Sequence, residues 1–261
     1  MALTDEQLSR FARDGYLILR GVMDPSRLRA AREAIARSLA KDDSIGNMRR
    51  YLSDTFCPDA VAHPDLLALV EPLRPAIASL FGTLDAPRIG HAQIALRFPQ
   101  LHRDQPHHNI HLDGFPVARA ENRVPASSIY RHTLLAGVYL TPLHGPDRGN
   151  FVAWPGSHAH FAEVLRALDP PAFLAAHTAE ELHERVRRET PPGAPVQVEV
   201  EAGDALLAHH LLAHGASDNL SMQVREAIYF RVIHPEHDPR DPGALSDVTR
   251  FFAPRLFSRG R

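Results

Sequence analysis

Cysteine, net charge and long apolar runs are all scarce in this sequence, and each absence excludes a class of protein. Cys57 is the single cysteine among 261 residues, so an internal disulfide framework and a cysteine-based metal cluster are both excluded. The formal net charge at pH 7 is −2, which gives no electrostatic reason to expect nucleic acid or an anionic membrane surface as a partner. A small molecule is therefore the expected partner, and a monomer and a homodimer are both open.

No targeting or membrane-spanning segment is evident in the sequence. The residues from Met1 to Glu6 lack the basic and apolar regions of a signal peptide, and no apolar run approaches the roughly 20 residues needed to span a bilayer. Hydrophobic residues make up 44% of the chain, which is ample for a sizeable core. We therefore expect one domain over residues 1–261, soluble and cytoplasmic.

The first third of the chain, about residues 1–85, has the pattern of a helical layer. Capping boxes and prolines in a first turn mark where helices begin. These signals predict three helices, the first capped by Thr4 and Gln7, the second running from Asp24-Pro25 to about Ala40, and the third from Pro64-Asp65 to near Gly82. A short strand at 16–19 separates the first two.

The pattern changes at Arg88. Short apolar or alternating runs, with Gly, Pro and Asp between them, continue to Ile233 and predict an antiparallel sandwich or barrel over about residues 88–233. Apolar residues at helical spacing predict an insertion at about 158–190, and a short C-terminal helix is expected at about 245–252. The predicted fold class is therefore mainly β with flanking helices.

Histidine is abundant, with 17 residues, so a metal site must be chosen among many candidates. The pattern His-x-Asp occurs three times, at His63/Asp65, His102/Asp104 and His111/Asp113. Asp65 precedes an apolar helix and is a natural N-cap. The second pair stands in a polar run between prolines, which is typical of a loop.

Only the third pair has the alternation of a strand around it. His111 and Asp113 point to one face of an extended segment, while Ile110 and Leu112 point to the other. A second imidazole would complete the set of two histidines and one carboxylate that is used in non-haem Fe(II) oxygen chemistry. The simpler alternative is a strand-end histidine paired with a neighbouring aspartate.

The second imidazole could come from any of three histidines in the run 208–215: His209, His210 and His214. The residues that follow favour His214. Ser221, Gln223 and Arg225 lie on one face of the next predicted strand, where the guanidinium and the serine hydroxyl can together bind a carboxylate. The alternative for Arg225 is a solvated charge paired with Asp218 or Glu226.

With these motifs the sequence resembles the phytanoyl-CoA dioxygenase family, the Fe(II)- and 2-oxoglutarate-dependent oxygenases built on a double-stranded β-helix. The resemblance extends from Phe11 to about Val232. Its most specific parts are His111-Leu112-Asp113, the segment from Gly149 to His158 with its Trp-Pro-Gly-Ser-His turn, and His214-Gly215 followed by Asn219, Ser221 and Arg225. It implies a jelly-roll, cupin-like β-helix core.

The resemblance also implies roles for individual residues. Those implied as Fe(II) ligands, and so as the catalytic centre, are His111, Asp113 and His214. Arg225 would bind the distal carboxylate of the cosubstrate 2-oxoglutarate, Ser221 would assist it, and Gln93 would make a further polar contact. With O2 as the other reactant, the implied reaction oxidises an unactivated C–H bond of a small molecule and releases succinate and CO2.

The sequence departs from the family at two positions near these ligands. Ala216 stands where many relatives have serine, and Ile110 where an aromatic residue often precedes the first ligand. Asp113 is a carboxylate and not the glycine or alanine of related halogenases, so hydroxylation is implied in preference to halogenation. Two alternatives stay open: a β-helix protein that binds metal or ligand without turnover, and a cupin-like hydrolase or isomerase that does not use 2-oxoglutarate.

Other polar residues are weaker candidates for the site. The histidines that could line a substrate cavity are His107, His108, His209 and His210, although each is as readily a surface or core histidine. No motif singles out a CoA ester, so the family's name is not taken as the substrate. The placement of the four histidines in the fold decides whether each lines a cavity or is a surface or core residue.

Overall fold

A computed structural model of the chain describes residues 2–41, 57, 59–100, 110–113 and 132–257. Its α-helices are α1 (Asp5–Asp14), α2 (Pro25–Lys41), α3 (Pro64–Leu67), α4 (Arg74–Phe81), α5 (Ser157–Leu168), α6 (Pro170–Leu174) and α7 (Ala179–Arg187). Its strands are β1 (Tyr16–Leu19), β2 (Arg88–Arg97), β3 (Leu134–Tyr139), β4 (Phe151–Ala153), β5 (Val196–Gln197), β6 (Ala205–His209), β7 (His214–Ala216) and β8 (Arg225–Ile233). Short 3₁₀ helices span Ala68–Leu73, Pro242–Ser246 and Pro254–Leu256.

The first two helices begin where their sequence signals predict. The Thr4 hydroxyl accepts a hydrogen bond from the Gln7 amide, and the Gln7 side chain accepts one from the Thr4 amide, which completes the predicted capping box. Helix α1 ends at Gly15, whose φ of 78° is the left-handed conformation that glycine adopts without strain. Helix α2 begins at Pro25, where the Asp24 carboxylate accepts a backbone hydrogen bond at 2.7 Å.

The third predicted helix is divided by prolines. Helix α3 gives way to the 3₁₀ helix Ala68–Leu73, and α4 resumes the α-helical path beyond it. Pro72 and Pro75 cannot donate the hydrogen bonds of a continuous α-helix, so the helix does not run through them unbroken. The N-cap prediction for Asp65 is wrong: His63 is the N-cap, and its Nδ1 accepts from the Asp65 amide at 3.3 Å.

Two antiparallel sheets form the body of the fold. The larger has the strand order β1-β6-β3-β8-β2, and the smaller has the order β5-β4-β7. A further bridge between His111 and His214 places the segment 110–113 beside β7. The described strands of the two sheets face each other without closing into a barrel, and helices cover the outer face of the larger sheet. The prediction of a mainly β fold with flanking helices is confirmed.

Alternation along the strands divides the core into two layers. On β3, Leu134, Ala136 and Val138 pack toward the helices, whereas Leu135 and Tyr139 pack between the two sheets. The larger sheet is therefore buried on both faces. Side chains that point between the sheets are enclosed there, which is where a site shielded from water can form.

The predicted insertion corresponds to α5, α6 and α7, which lie between β4 and β5 in the chain. Helix α5 packs on the 3₁₀ helix Pro242–Ser246, where the Arg166 guanidinium donates to the Ser246 carbonyl at 3.3 Å. The prediction of a C-terminal helix at 245–252 is wrong. The Asp247 carboxylate accepts from both the amide and the hydroxyl of Thr249, and this local turn replaces the helical hydrogen bonds. Among the described helices, none is long and apolar enough to cross a membrane.

Asp204 joins the N-terminal layer to the larger sheet. Its buried carboxylate accepts from the Gly21 amide at 2.8 Å, from the Glu201 amide at 2.9 Å and from Arg20 Nη1 at 2.6 Å. Because truncation leaves two amides without their acceptor, Asp204→Ala should lower the free energy of unfolding in urea by about 2–4 kcal/mol. Arg20→Ala should cost at most about 1 kcal/mol, since the Arg20 side chain is 62% exposed. Equal losses in the two variants would contradict this account.

Candidate metal centre

Backbone pairing brings the first and last candidate ligands together. The His111 amide donates to the His214 carbonyl at 2.8 Å, and the His214 amide donates to the His111 carbonyl at 3.1 Å. Residues paired in this way carry neighbouring side chains, and the two imidazole centroids are 4.5 Å apart. Asp113, two residues after His111, follows on the same side of the extended segment, as alternation predicts.

The three side chains converge at their donor atoms. His111 Nε2 lies 3.5 Å from Asp113 Oδ1, and His214 Nε2 lies 3.8 Å from Asp113 Oδ2. One ligand atom from each residue can be chosen so that all lie within 4.8 Å of one another, and no other such group occurs in the described part of the chain. Two imidazoles and one carboxylate are the donor set of non-haem Fe(II) oxygen chemistry, so these residues fit that metal.

His214 is held in the tautomer that a metal ligand needs. Its Nδ1 lies 2.9 Å from the Leu212 carbonyl and donates its hydrogen there, which leaves the lone pair of Nε2 toward the other ligands. Phe151 stacks on the ring with a centroid distance of 5.1 Å. Burial, together with the neighbouring His111, lowers the pKa of His214 to about 4, so the imidazole is neutral at pH 7.

Arg231 contacts the candidate metal ligand Asp113, a contact that the sequence analysis missed. Arg231 Nη2 donates to Asp113 Oδ2 at 2.8 Å, and Arg231 Nη1 donates to Gln93 Oε1. Burial opposes ionisation of Asp113, but the Arg231 charge and the two histidines outweigh it and hold the pKa of Asp113 well below its usual range. Arg231 lies six residues after Arg225 on β8, and this even spacing on one strand face was the available signal.

Arg225 is buried between the sheets. The residue is 4% exposed, its Nη1 lies 3.5 Å from the Tyr229 hydroxyl, and its Nε has no hydrogen-bond partner among the described residues. Glu226, on the opposite strand face, is bound instead by Arg32, with Nε and Oε2 2.8 Å apart. Within the described residues Arg225 forms no ion pair. The alternative of a solvated, acid-paired arginine is therefore wrong for this structure.

Ser221 lies outside the strand in which the sequence analysis places it, whereas Gln93 lies on a strand before the metal centre, as expected. Strand β8 begins only at Arg225, and Ser221 lies in the preceding turn, where its hydroxyl donates to Asn219 Oδ1 at 2.7 Å. Gln93 lies on β2 opposite Tyr229 and accepts from the Arg231 guanidinium. The prediction that Ser221 shares a strand face with Arg225 is wrong, because Asn219 binds the hydroxyl within the turn.

His209 and His210 lie in the core. Their rings stack with a centroid distance of 4.4 Å, and His209 also stacks on Phe252 at 4.8 Å. His210 Nδ1 lies 3.2 Å from the Thr133 carbonyl. His107, His108 and the pair His102/Asp104 lie outside the described residues. Among the three candidates for the last ligand, only His214 lies at the metal centre.

Solved structures with low sequence identity share this fold. SnoK, a non-haem α-ketoglutarate-dependent carbocyclase from nogalamycin biosynthesis, is 21% identical with a TM-score of 0.54, over 87% of this chain and 83% of SnoK. HygX from Streptomyces hygroscopicus, solved with nickel and 2-oxoglutarate, is 22% identical with a TM-score of 0.56, over 88% of this chain and 86% of HygX. ThoJ, a non-haem monooxygenase solved with nickel, is 17% identical with a TM-score of 0.57, over 90% of this chain and 80% of ThoJ. At these identities the likeness establishes the fold.

Sequence comparison identifies the family. None of the curated proteins matches the chain in sequence. The sequence model of the family described as phytanoyl-CoA dioxygenase (PhyH) matches residues 11–227, a range that includes the three candidate ligands and Arg225. Because this match covers most of the chain, the protein belongs to the phytanoyl-CoA dioxygenase family.

Proposed function

We propose that the protein is an Fe(II)- and 2-oxoglutarate-dependent dioxygenase that hydroxylates an unactivated C–H bond of a small molecule. The observation that carries this proposal is the buried Arg225, which forms no ion pair within the described residues. A charge enclosed in the interior is tolerated only with a partner of opposite sign. Arg225 therefore favours an anionic ligand between the sheets, and 2-oxoglutarate is an anion that also has donor atoms for the metal.

The metal site and the anion site lie on connected elements. His111, Asp113 and His214 would hold Fe(II), and Arg225 would bind the distal carboxylate of 2-oxoglutarate. Bound Fe(II), with 2-oxoglutarate and O2, would supply the oxidising chemistry and release succinate and CO2. A cupin-like hydrolase or isomerase without 2-oxoglutarate gives no reason for an enclosed arginine that has no acidic partner among the residues the structure describes.

The protein's side chains position the reactants and need not act as bases. Burial and the neighbouring Tyr229 hydroxyl raise the pKa of Tyr139 well above 10, so Tyr139 stays protonated between the sheets at neutral pH. His214 donates from Nδ1 to a backbone carbonyl and keeps Nε2 for the metal. These groups orient ligands and exclude water, while the cofactor carries the chemistry.

Exposure differs across the site and indicates where a substrate would enter. The His111 side chain is 41% exposed and that of Arg231 is 34% exposed, whereas Arg225 is buried. A cosubstrate bound to Arg225 would fill the closed end and leave the His111 side for a small molecule. HygX has been solved with hygromycin B together with nickel and 2-oxoglutarate, which supports this class of substrate.

O2-dependent conversion of 2-oxoglutarate into succinate tests the proposal. Protein loaded anaerobically with Fe(II) should form succinate slowly on exposure to O2 even without substrate, and His111→Ala should reduce the rate to background because it removes a ligand. The matched control is His144→Ala, since His144 is 64% exposed and pairs with Glu201 away from the centre. If the wild type binds Fe(II) but forms no succinate, the alternatives without 2-oxoglutarate gain support.

A further inference from the structure

Arg231 is held between two partners at the edge of the metal centre. Its Nη2 donates to Asp113 Oδ2 at 2.8 Å, and its Nη1 donates to Gln93 Oε1 on the neighbouring strand β2. A guanidinium is planar, so binding two partners through its two terminal nitrogens fixes its orientation. Asp113 lies in the short segment 110–113, where the only backbone bridge described is at His111, so its carboxylate depends on side-chain contacts for its orientation.

The two oxygens of Asp113 have different surroundings. Oδ2 accepts the charge-assisted hydrogen bond from Arg231 and lies 3.8 Å from His214 Nε2, while Oδ1 has no contact with the guanidinium and lies 3.5 Å from His111 Nε2. An oxygen that is engaged by a guanidinium is a poorer metal ligand than one that is not, because its electron density is already shared. The arrangement therefore favours one oxygen, Oδ1, as the ligand.

We propose that Arg231 is a positioning residue that orients Asp113 as a ligand through one oxygen. This inference rests on the proposed metal centre and extends it, because it assigns a role to a guanidinium that is neither a metal ligand nor the 2-oxoglutarate partner. Gln93 contributes indirectly, because its Oε1 accepts a hydrogen bond from the Arg231 guanidinium and helps to fix its orientation. Contacts that orient metal ligands typically change metal affinity by 10–100-fold when they are removed.

A competing arrangement predicts the opposite change in metal affinity when Arg231 is removed. If Arg231 bound Asp113 only until a metal displaced it, the guanidinium would compete with the ion, and its removal would strengthen metal binding. If Arg231 served only the fold, its removal would lower the melting temperature and leave the coordination of a bound metal unchanged. Metal affinity and a spectroscopic signature of coordination therefore separate the three arrangements.

The experiment is titration of the metal-free protein with Co(II), without 2-oxoglutarate and without O2. We expect Arg231→Gln to raise the Kd for Co(II) about 10–100-fold and to alter the visible absorption of the bound ion, since the freed Oδ2 can also coordinate. Arg231→Lys should recover part of the affinity, because an ammonium keeps the charge but cannot hold Asp113 and Gln93 in one plane. Arg240→Gln is the matched control, since Arg240 is 70% exposed and pairs with Asp238 at the surface.

The outcomes of this titration are distinct. Weaker Co(II) binding with a changed spectrum in Arg231→Gln, and partial recovery in Arg231→Lys, would support the positioning role. Unchanged or tighter binding in Arg231→Gln would overturn it, as would a fall in melting temperature without any change in the spectrum. If the wild type itself bound no Co(II), the proposed metal centre would fail, and the inference about Arg231 would fail with it.

Discussion

Replacing Arg225 by methionine is expected to raise the Kd for 2-oxoglutarate about thirtyfold or more. The methionine fills a similar space but removes the guanidinium, and loss of one partner of a buried charge pair costs about 2–5 kcal/mol of binding free energy. Binding is best measured by calorimetry on protein loaded with Ni(II), so that no turnover occurs. The affinity for Ni(II) alone should be unchanged, because within the described residues Arg225 contacts none of the three proposed ligands.

The same substitution should not lower the free energy of unfolding, although Arg225 is buried. Arg225 is 4% exposed and has no ion-pair partner in the described part of the chain, so methionine should leave the free energy of unfolding of the ligand-free protein unchanged or higher. Arg32→Met is the matched control, since Arg32 binds Glu226, the next residue of β8, on the opposite strand face. It should leave 2-oxoglutarate affinity unchanged. Equal affinities for 2-oxoglutarate in wild type and Arg225→Met would contradict the assignment.

Acid should begin to destabilise the protein below about pH 6.5, above the range in which most carboxylates titrate. Burial lowers the pKa of His158 to about 4 and that of His210 to about 3, and burial with the neighbouring His210 holds the pKa of His209 well below 6.5. Each is neutral in the folded protein but binds a proton below about pH 6.5 when unfolded. Stability is therefore full above that pH and falls as the pH drops, by up to about 1.4 kcal/mol per pH unit for each histidine. Three such losses amount to up to about 8 kcal/mol over two pH units, which is comparable with a typical stability of 5–15 kcal/mol.

One substitution isolates the contribution of a single histidine. His158 Nε2 donates to the Ala12 carbonyl at 3.2 Å, and the amide of His158→Gln can donate in its place without titrating. Urea unfolding between pH 8 and pH 5 should then show a pH dependence that is shallower by about one proton. His177→Gln is the control, because His177 is 50% exposed and its replacement should leave the slope unchanged. A wild-type stability that stayed constant down to pH 5 would contradict the prediction.

The parts of the fold that were predicted correctly depend on local signals. The Thr4 capping box and the Asp24-Pro25 start each act within four residues, so tertiary packing need not be known. The prediction of the C-terminal helix was wrong because the Asp247 side chain accepts from the Thr249 amide and stabilises a turn in place of the helix. The short strands β5 and β7 depend on pairing with β4, and pairing partners distant in sequence are not encoded in a local pattern.

In the candidate site, too, local patterns were predicted correctly and contacts between distant segments were not. Alternation brought His111 and Asp113 to one face, and the arginine downstream favoured His214 over its two neighbours; the structure brings these three together. Arg231 was missed because its even spacing from Arg225 gives only its strand face, whereas its contact with Asp113 depends on tertiary packing that places the segment 110–113 beside β7. Ser221 was misplaced because the strand pattern was extended into a turn that Asn219 stabilises.

Anaerobic visible spectroscopy of the Fe(II)-loaded protein tests the central claim most directly. When the keto acid of 2-oxoglutarate binds Fe(II), charge transfer from the metal to the ligand gives a visible absorption band. We expect the band in the wild type on addition of 2-oxoglutarate, none with succinate, and none in His214→Ala, which lacks one of the three ligands. The His144→Ala protein should give the wild-type band. A wild type that binds Fe(II) but shows no band with saturating 2-oxoglutarate would contradict the account.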